Sequence, residues 1–84
     1  MRNILAVFTN RNHTMQFSSY LKRLGVRNKT INTPRELTVS CGISILFLEK
    51  DFSQARFILS KGNFGSFKGF YIVTGEVFRK YQPI

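Results

Sequence analysis

One cysteine, one histidine, two prolines and four acidic side chains are all that this 84-residue chain holds of those types. Each scarcity closes off a class of chemistry. A lone Cys41 cannot build an internal disulfide framework and fits a reducing compartment. With His13 as its only companion, the usual cysteine–histidine metal site cannot be assembled. Glu36, Glu49, Asp51 and Glu76 are too few for a paired-carboxylate hydrolase, and Glu49 with Asp51 reads as the entry to a helix. His13 lies near the start of a helix with no acid or nucleophile beside it in sequence, so a surface or capping role is expected. A glycine-rich phosphate loop is also missing. No apolar run approaches the ~18 residues needed to span a bilayer. Residues 4–8 are too short a run for the core of an export signal. The expectation is a soluble, cytoplasmic protein with no membrane partner, no metal and no cofactor.

What the chain does hold is positive charge and phenylalanine. Thirteen Lys and Arg against the four acids leave a net charge of +9, an excess that favours polyanions or acidic partners. These cations are spread from Arg2 to Lys80, and only Lys22-Arg23 and Arg79-Lys80 are adjacent pairs. A nucleic-acid footprint should cluster on one face, so the competing reading is a solvated basic surface. The nine phenylalanines supply large apolar areas for a core, which argues against disorder in a chain of this size.

No repeat, linker or low-complexity run divides the chain, so a single domain over 1–84 is expected, with a core at about 3–77 and a tail at 78–84. Residues 4–9 form a short apolar run without breakers and predict a buried strand. Asn10 or Asn12 is placed to cap the helix that follows. Phe17, Leu21 and Leu24 share one helical face, with Tyr20 beside them, and Gly25 is a natural stop. Residues 27–32 alternate weakly and predict an edge strand. Residues 43–48 are β-branched and aromatic, the strongest strand in the chain. Asp51 or Ser53 can cap a second helix carrying Phe52, Ala55, Ile58 and Leu59, which Gly62 ends. A turn at 63–67 leads to a last strand at 68–74, and 76–84 predicts a short helical turn or tail.

That order predicts an α+β fold of the ferredoxin-like βαββαβ type, a four-stranded antiparallel sheet with two helices on one face. The other face would meet water or a partner. Phe8, Phe47, Phe70 and Tyr71 are too many aromatics for two short helices to cover, which points to a homodimer through that face.

Between the second and third strands lies Pro34-Arg35-Glu36-Leu37-Thr38-Val39-Ser40-Cys41-Gly42. Arg35 carries a permanent charge able to favour a thiolate at Cys41. Gly42 allows a sharp turn or a close approach. Thr38 and Ser40 offer hydroxyl donors, and Thr33 can fix the turn before Pro34. The same residues also suit a plain loop in which Cys41 is a small apolar side chain packed before a core strand.

This Pro-Arg, small hydroxyl, Cys-Gly pattern resembles the small bacterial family of selenium/sulfur (Se/S) carrier-like proteins, whose biochemical function is not established. The likeness runs from the first strand to about residue 77, with a second match at Tyr71-Ile72-Val73. Thr38 stands where serine is the commoner residue, and the strong basic charge is not a family trait. The resemblance implies that Cys41 accepts sulfur or selenium as a persulfide or selenopersulfide and hands it on. It also implies a cysteine desulfurase-like donor and an acceptor enzyme as partners, and no turnover by the carrier alone. An ordinary thiol, with pKa ~8.5, is only partly ionised at neutral pH, so Arg35, Gly42, Thr38 and Ser40 would have to stabilise the anion.

Two alternatives remain. One is a basic nucleic-acid-binding module: Lys68-Gly69-Phe70-Tyr71-Ile72-Val73 echoes the basic–glycine–aromatic motif of the RNA-recognition fold, although on the fourth strand instead of the third. The other is a dimerising interaction domain whose cysteine is structural.

Overall fold

A computed structural model of the protein describes residues 2–37, 42–75 and 79–84. The first strand, β1 (Asn3–Phe8), is apolar almost throughout and is followed by helix α1 (Arg11–Arg23). Asn10 caps that helix, its Oδ1 accepting the His13 N–H at 3.1 Å. Thr14, Phe17, Ser18 and Leu21 form the buried stripe. Leu24, expected on the same stripe, is 49% exposed. It is the C-cap residue, with φ −87° and ψ 5°, so the helical period has already ended there. Gly25 at φ +77° then reverses the chain. Its N–H donates to the Lys22 carbonyl at 3.0 Å, and the Val26 N–H to that of Leu21 at 2.9 Å. This pair of bonds is a Schellman closure, in which the positive φ is why glycine is there.

Strand β2 (Asn28–Asn32) follows, then a 3-10 turn at Arg35–Leu37 and strand β3 (Ile43–Leu48). A second 3-10 turn, Glu49–Asp51, runs into helix α2 (Phe52–Lys61). Of the two residues expected to cap it, Asp51 occupies the N-cap position but makes no side-chain capping bond. Glu49 instead pairs with Arg2 at 2.7 Å. Strand β4 (Phe67–Thr74) and strand β5 (Lys80–Pro83) complete the chain.

The sheet is antiparallel throughout, in the order β2-β3-β1-β4-β5. Among the described residues it has five strands, where four were expected. The fifth lies where a helical turn or tail was predicted. Tyr81 pairs with Val73 and packs on it, while Lys80 and Gln82 alternate outward. Pro83 is tolerated because β5 is an edge strand, where a missing N–H interrupts no inner ladder. Lys29 on β2 and Lys80 on β5 place charge on both edges, which discourages edge-to-edge pairing. Between Val7↔Gly69 and Phe8↔Phe67 the register shifts, leaving Lys68 as an extra residue. Gly69, at φ +147°, absorbs that bulge.

Period-2 alternation divides the strand residues between two faces. Ile4, Ala6, Phe8, Ile45, Phe47 and Phe70 meet Phe17 and Leu21 of α1 and Ala55 and Ile58 of α2 in one buried cluster. The expectation that the aromatics would overflow the helices does not hold for Phe8, Phe47 or Phe70, all buried on the helix side. They fit because the rings pack tilted or edge-to-face, as in Phe8–Phe17 at 5.2 Å and Phe52–Phe70 at 4.9 Å. The opposite face is not an open apolar sheet either. Leu5 and Val7 are wholly buried there, with Leu37, Leu46, Tyr71 and Tyr81 packed against them.

Candidate functional site

The loop after β2 is closed at its base by its own ends. Thr33 continues the β2–β3 ladder past Asn32↔Ile43: its N–H donates to the Gly42 carbonyl at 2.9 Å. Its hydroxyl also meets that of Ser44 at 2.6 Å. Ser44 is fully buried and sits opposite Val7 of the central strand. A lone hydroxyl inside Ile43-Ser44-Ile45-Leu46-Phe47 needs such a partner, because burying one unpaired is costly. Thr33 therefore does more than set a local turn, and ties the loop to the sheet.

Past this clasp the chain turns at once. The Leu37 N–H donates to the Pro34 carbonyl at 3.0 Å, and Leu37 packs on the face opposite the helices. That anchor leaves Arg35 and Glu36 exposed. Among the described residues, no hydrogen bond or ion pair holds the Arg35 guanidinium. Gly42 is exposed, and a Cβ built on it meets nothing within 4 Å. The described surroundings thus set no steric demand for glycine at that position. Arg35 and Gly42 stand on the two limbs that the Thr33 clasp joins. Thr38, Ser40 and Cys41 lie outside the described residues.

A second polar contact escaped sequence reading. His13 Nδ1 is 2.7 Å from Ser66 Oγ, and the Ser66 carbonyl accepts the Thr9 N–H at 3.0 Å. The Phe64 ring meets the imidazole edge-on at 5.8 Å. No sequence signal links positions 13 and 66; only the fold brings them together. Among the described residues no carboxylate pairs with His13, so a triad is not formed. The contact pins the first turn of α1 to the turn before β4. Of the two aromatics in the echo of the RNA-recognition motif, Phe70 lies beneath the helices, while Tyr71 is half-buried on the opposite face. Among the described residues there is no metal-binding group of three or more ligands, and no helix is long and apolar enough to cross a membrane.

The family described as "Putative Se/S carrier protein-like" matches residues 3–72. The chain belongs to this family. The match begins with β1, spans the whole clasped loop and ends inside β4, short of the predicted reach to residue 77. Neither a curated protein nor a solved structure matches the chain. Relative to the Se/S carrier-like match, β5 is an addition beyond the matched segment.

Proposed function

We propose that the protein is a small carrier of sulfur or selenium, with Cys41 as the atom that takes the load. The observation that carries this reading is the family match across the loop between Thr33 and Gly42, a loop whose ends are hydrogen-bonded together. A reactive side chain on a loop held by a rigid sheet is a common way to present chemistry.

The transfer is an exchange at sulfur. The Cys41 thiolate attacks the outer sulfur of a donor persulfide, such as that of a cysteine desulfurase. The donor's S–S bond breaks, a new S–S bond forms on Cys41, and the donor leaves as thiolate, with no net oxidation. A selenium atom moves by the same exchange to give a selenopersulfide. An acceptor enzyme then takes the atom, and the carrier performs no turnover by itself. Arg35 supplies positive charge, and Gly42, Thr38 and Ser40 supply hydrogen-bond donors for the anion. A lone exchangeable thiol suits the reducing cytoplasm.

The β2-β3-β1-β4 part of the sheet favours reading the first four strands as the ferredoxin-like arrangement, with β5 added on its edge.

The test is alkylation of the native protein across a pH series, followed by mass, together with loading by a cysteine desulfurase and free cysteine. The expected outcome is alkylation with a midpoint below ~8.5 and a mass gain of one sulfur that Cys41→Ser abolishes. A native protein that neither alkylates nor loads would leave Cys41 a packing residue.

A further inference from the structure

On the helical side, α1 and α2 leave a groove of about 300 Å³ between them. Tyr20, Arg23 and the C-cap residue Leu24 line it from the end of α1, and Phe57, Ile58 and Lys61 from α2. Single exposed apolar side chains are ordinary, but a contiguous set in a concavity marks a binding surface. Here Tyr20 is 42% exposed, Leu24 49% and Phe57 55%.

The charge around this groove has one sign. Neither helix contains an Asp or Glu, and together they carry Arg11, Lys22, Arg23, Arg56 and Lys61. Two of these cations lie on the groove's own aromatic walls: Arg23 is 5.6 Å from the Tyr20 ring centre and Lys61 is 5.8 Å from that of Phe57. Of the described acids, Glu49 is already paired with Arg2, Asp51 sits at the start of α2, and Glu36 lies on the loop beyond the sheet. None lines the groove.

We infer that this groove docks an acidic amphipathic helix of a partner protein. Its apolar side chains would enter between Leu24 and Phe57, and its carboxylates would meet Arg23 and Lys61. Helix-in-groove recognition needs this combination of an apolar trough and flanking charge. A base could stack on Tyr20 or Phe57, but the aliphatic Leu24 and Ile58 beside them call for apolar side chains, which an amphipathic helix supplies together with its carboxylates. The groove lies on the helix side, whereas Leu37 anchors the Cys41 loop to the opposite face. A docked partner therefore leaves the loop's anchored limb uncovered. The inference does not depend on what Cys41 does.

The probe is a synthetic helical peptide with leucines at i, i+4 and i+7 and glutamates on its other positions. Its twin carries lysine in place of each glutamate. Titration of isotope-labelled protein should shift the resonances of Tyr20, Leu24, Phe57 and Lys61 with the acidic peptide and not with the basic one. Phe57→Ala, and separately Arg23→Glu with Lys61→Glu, should each weaken binding by about tenfold or more, and Cys41→Ser should leave it unchanged. These positions are exposed, so an unchanged amide spectrum will establish that the variants fold. Equal binding of the basic twin, no binding of either peptide, or shifts confined to the other face would overturn the inference. So would displacement of the acidic peptide from these residues by a single-stranded oligonucleotide or by phosphatidylserine vesicles.

Discussion

The two faces of the sheet are built from different materials. Under the helices, phenylalanine dominates: Phe8, Phe17, Phe47 and Phe70 pack with Phe52, Phe64 and Phe67 around Ile4, Ile45 and Leu21. On the other face the buried residues are aliphatic, Leu5, Val7 and Val73, and a hydroxyl pair stands among them. One face therefore holds most of the apolar area that stabilises the fold. The other holds the limbs of the loop on which the candidate thiol sits. The contrast predicts that the loop limbs can be altered at smaller cost to the fold than the helix side, a separation of scaffold and site common to loops that carry function.

The sharpest way to break this contrast is to compare truncations across it. Phe17→Ala removes a fully buried ring that touches Phe8, Phe47 and Phe64, and is expected to cost about 3–5 kcal/mol in urea unfolding. Leu37→Ala on the opposite face removes a half-buried side chain. Because solvent already reaches it, the loss should be nearer 1–2 kcal/mol. Equal losses would mean that the loop limb is as much a part of the scaffold as α1.

Much of this architecture is legible in the sequence. The strand predicted at 43–48 is the strand observed, Ile43–Leu48, because a β-branched apolar run between breakers has few other uses. Asn10, one of the two asparagines offered as the cap, and Gly25 mark the ends of α1, because capping and a positive φ are local demands. Of the four aromatics expected to overflow the helices, only Tyr71 lies on the other face; Phe8, Phe47 and Phe70 share the helix face once alternation and register are combined, and register is not a local property. β5 was hidden for a related reason, since the Tyr81–Val73 contact that makes it a strand is tertiary. The motif around Cys41 could be read as chemistry, but the clasp beneath it could not. Thr33 and Ser44 are eleven positions apart and meet only when β2 and β3 pair.

That clasp gives the next, smaller test. Ser44→Ala leaves the Thr33 hydroxyl without its partner, and the expected cost is about 1 kcal/mol. Adding Thr33→Val should cost less than the sum of the single changes, because both polar partners are then gone. If the clasp sets the loop, both variants will also alter the rate at which Cys41 alkylates at fixed pH. A change in stability without a change in that rate would separate the sheet from the site.

The smallest expected effect on stability carries the most information about function. Arg35 is exposed, and no described side chain pairs with it, so Arg35→Ala should shift the unfolding midpoint by no more than an ordinary surface substitution does. If its charge favours the thiolate, the same change will slow Cys41 alkylation near neutral pH, while Arg35→Lys will retain much of the rate because it keeps the charge and loses only the planar fork. The slowing should also fade as salt is raised, since the interaction between exposed groups is screened over a Debye length of about 10 Å at 0.1 M. An Arg35→Ala protein that alkylates as fast as the parent at low salt would remove the guanidinium from the site. Thiol activation would then have to come from Gly42, Thr38 and Ser40.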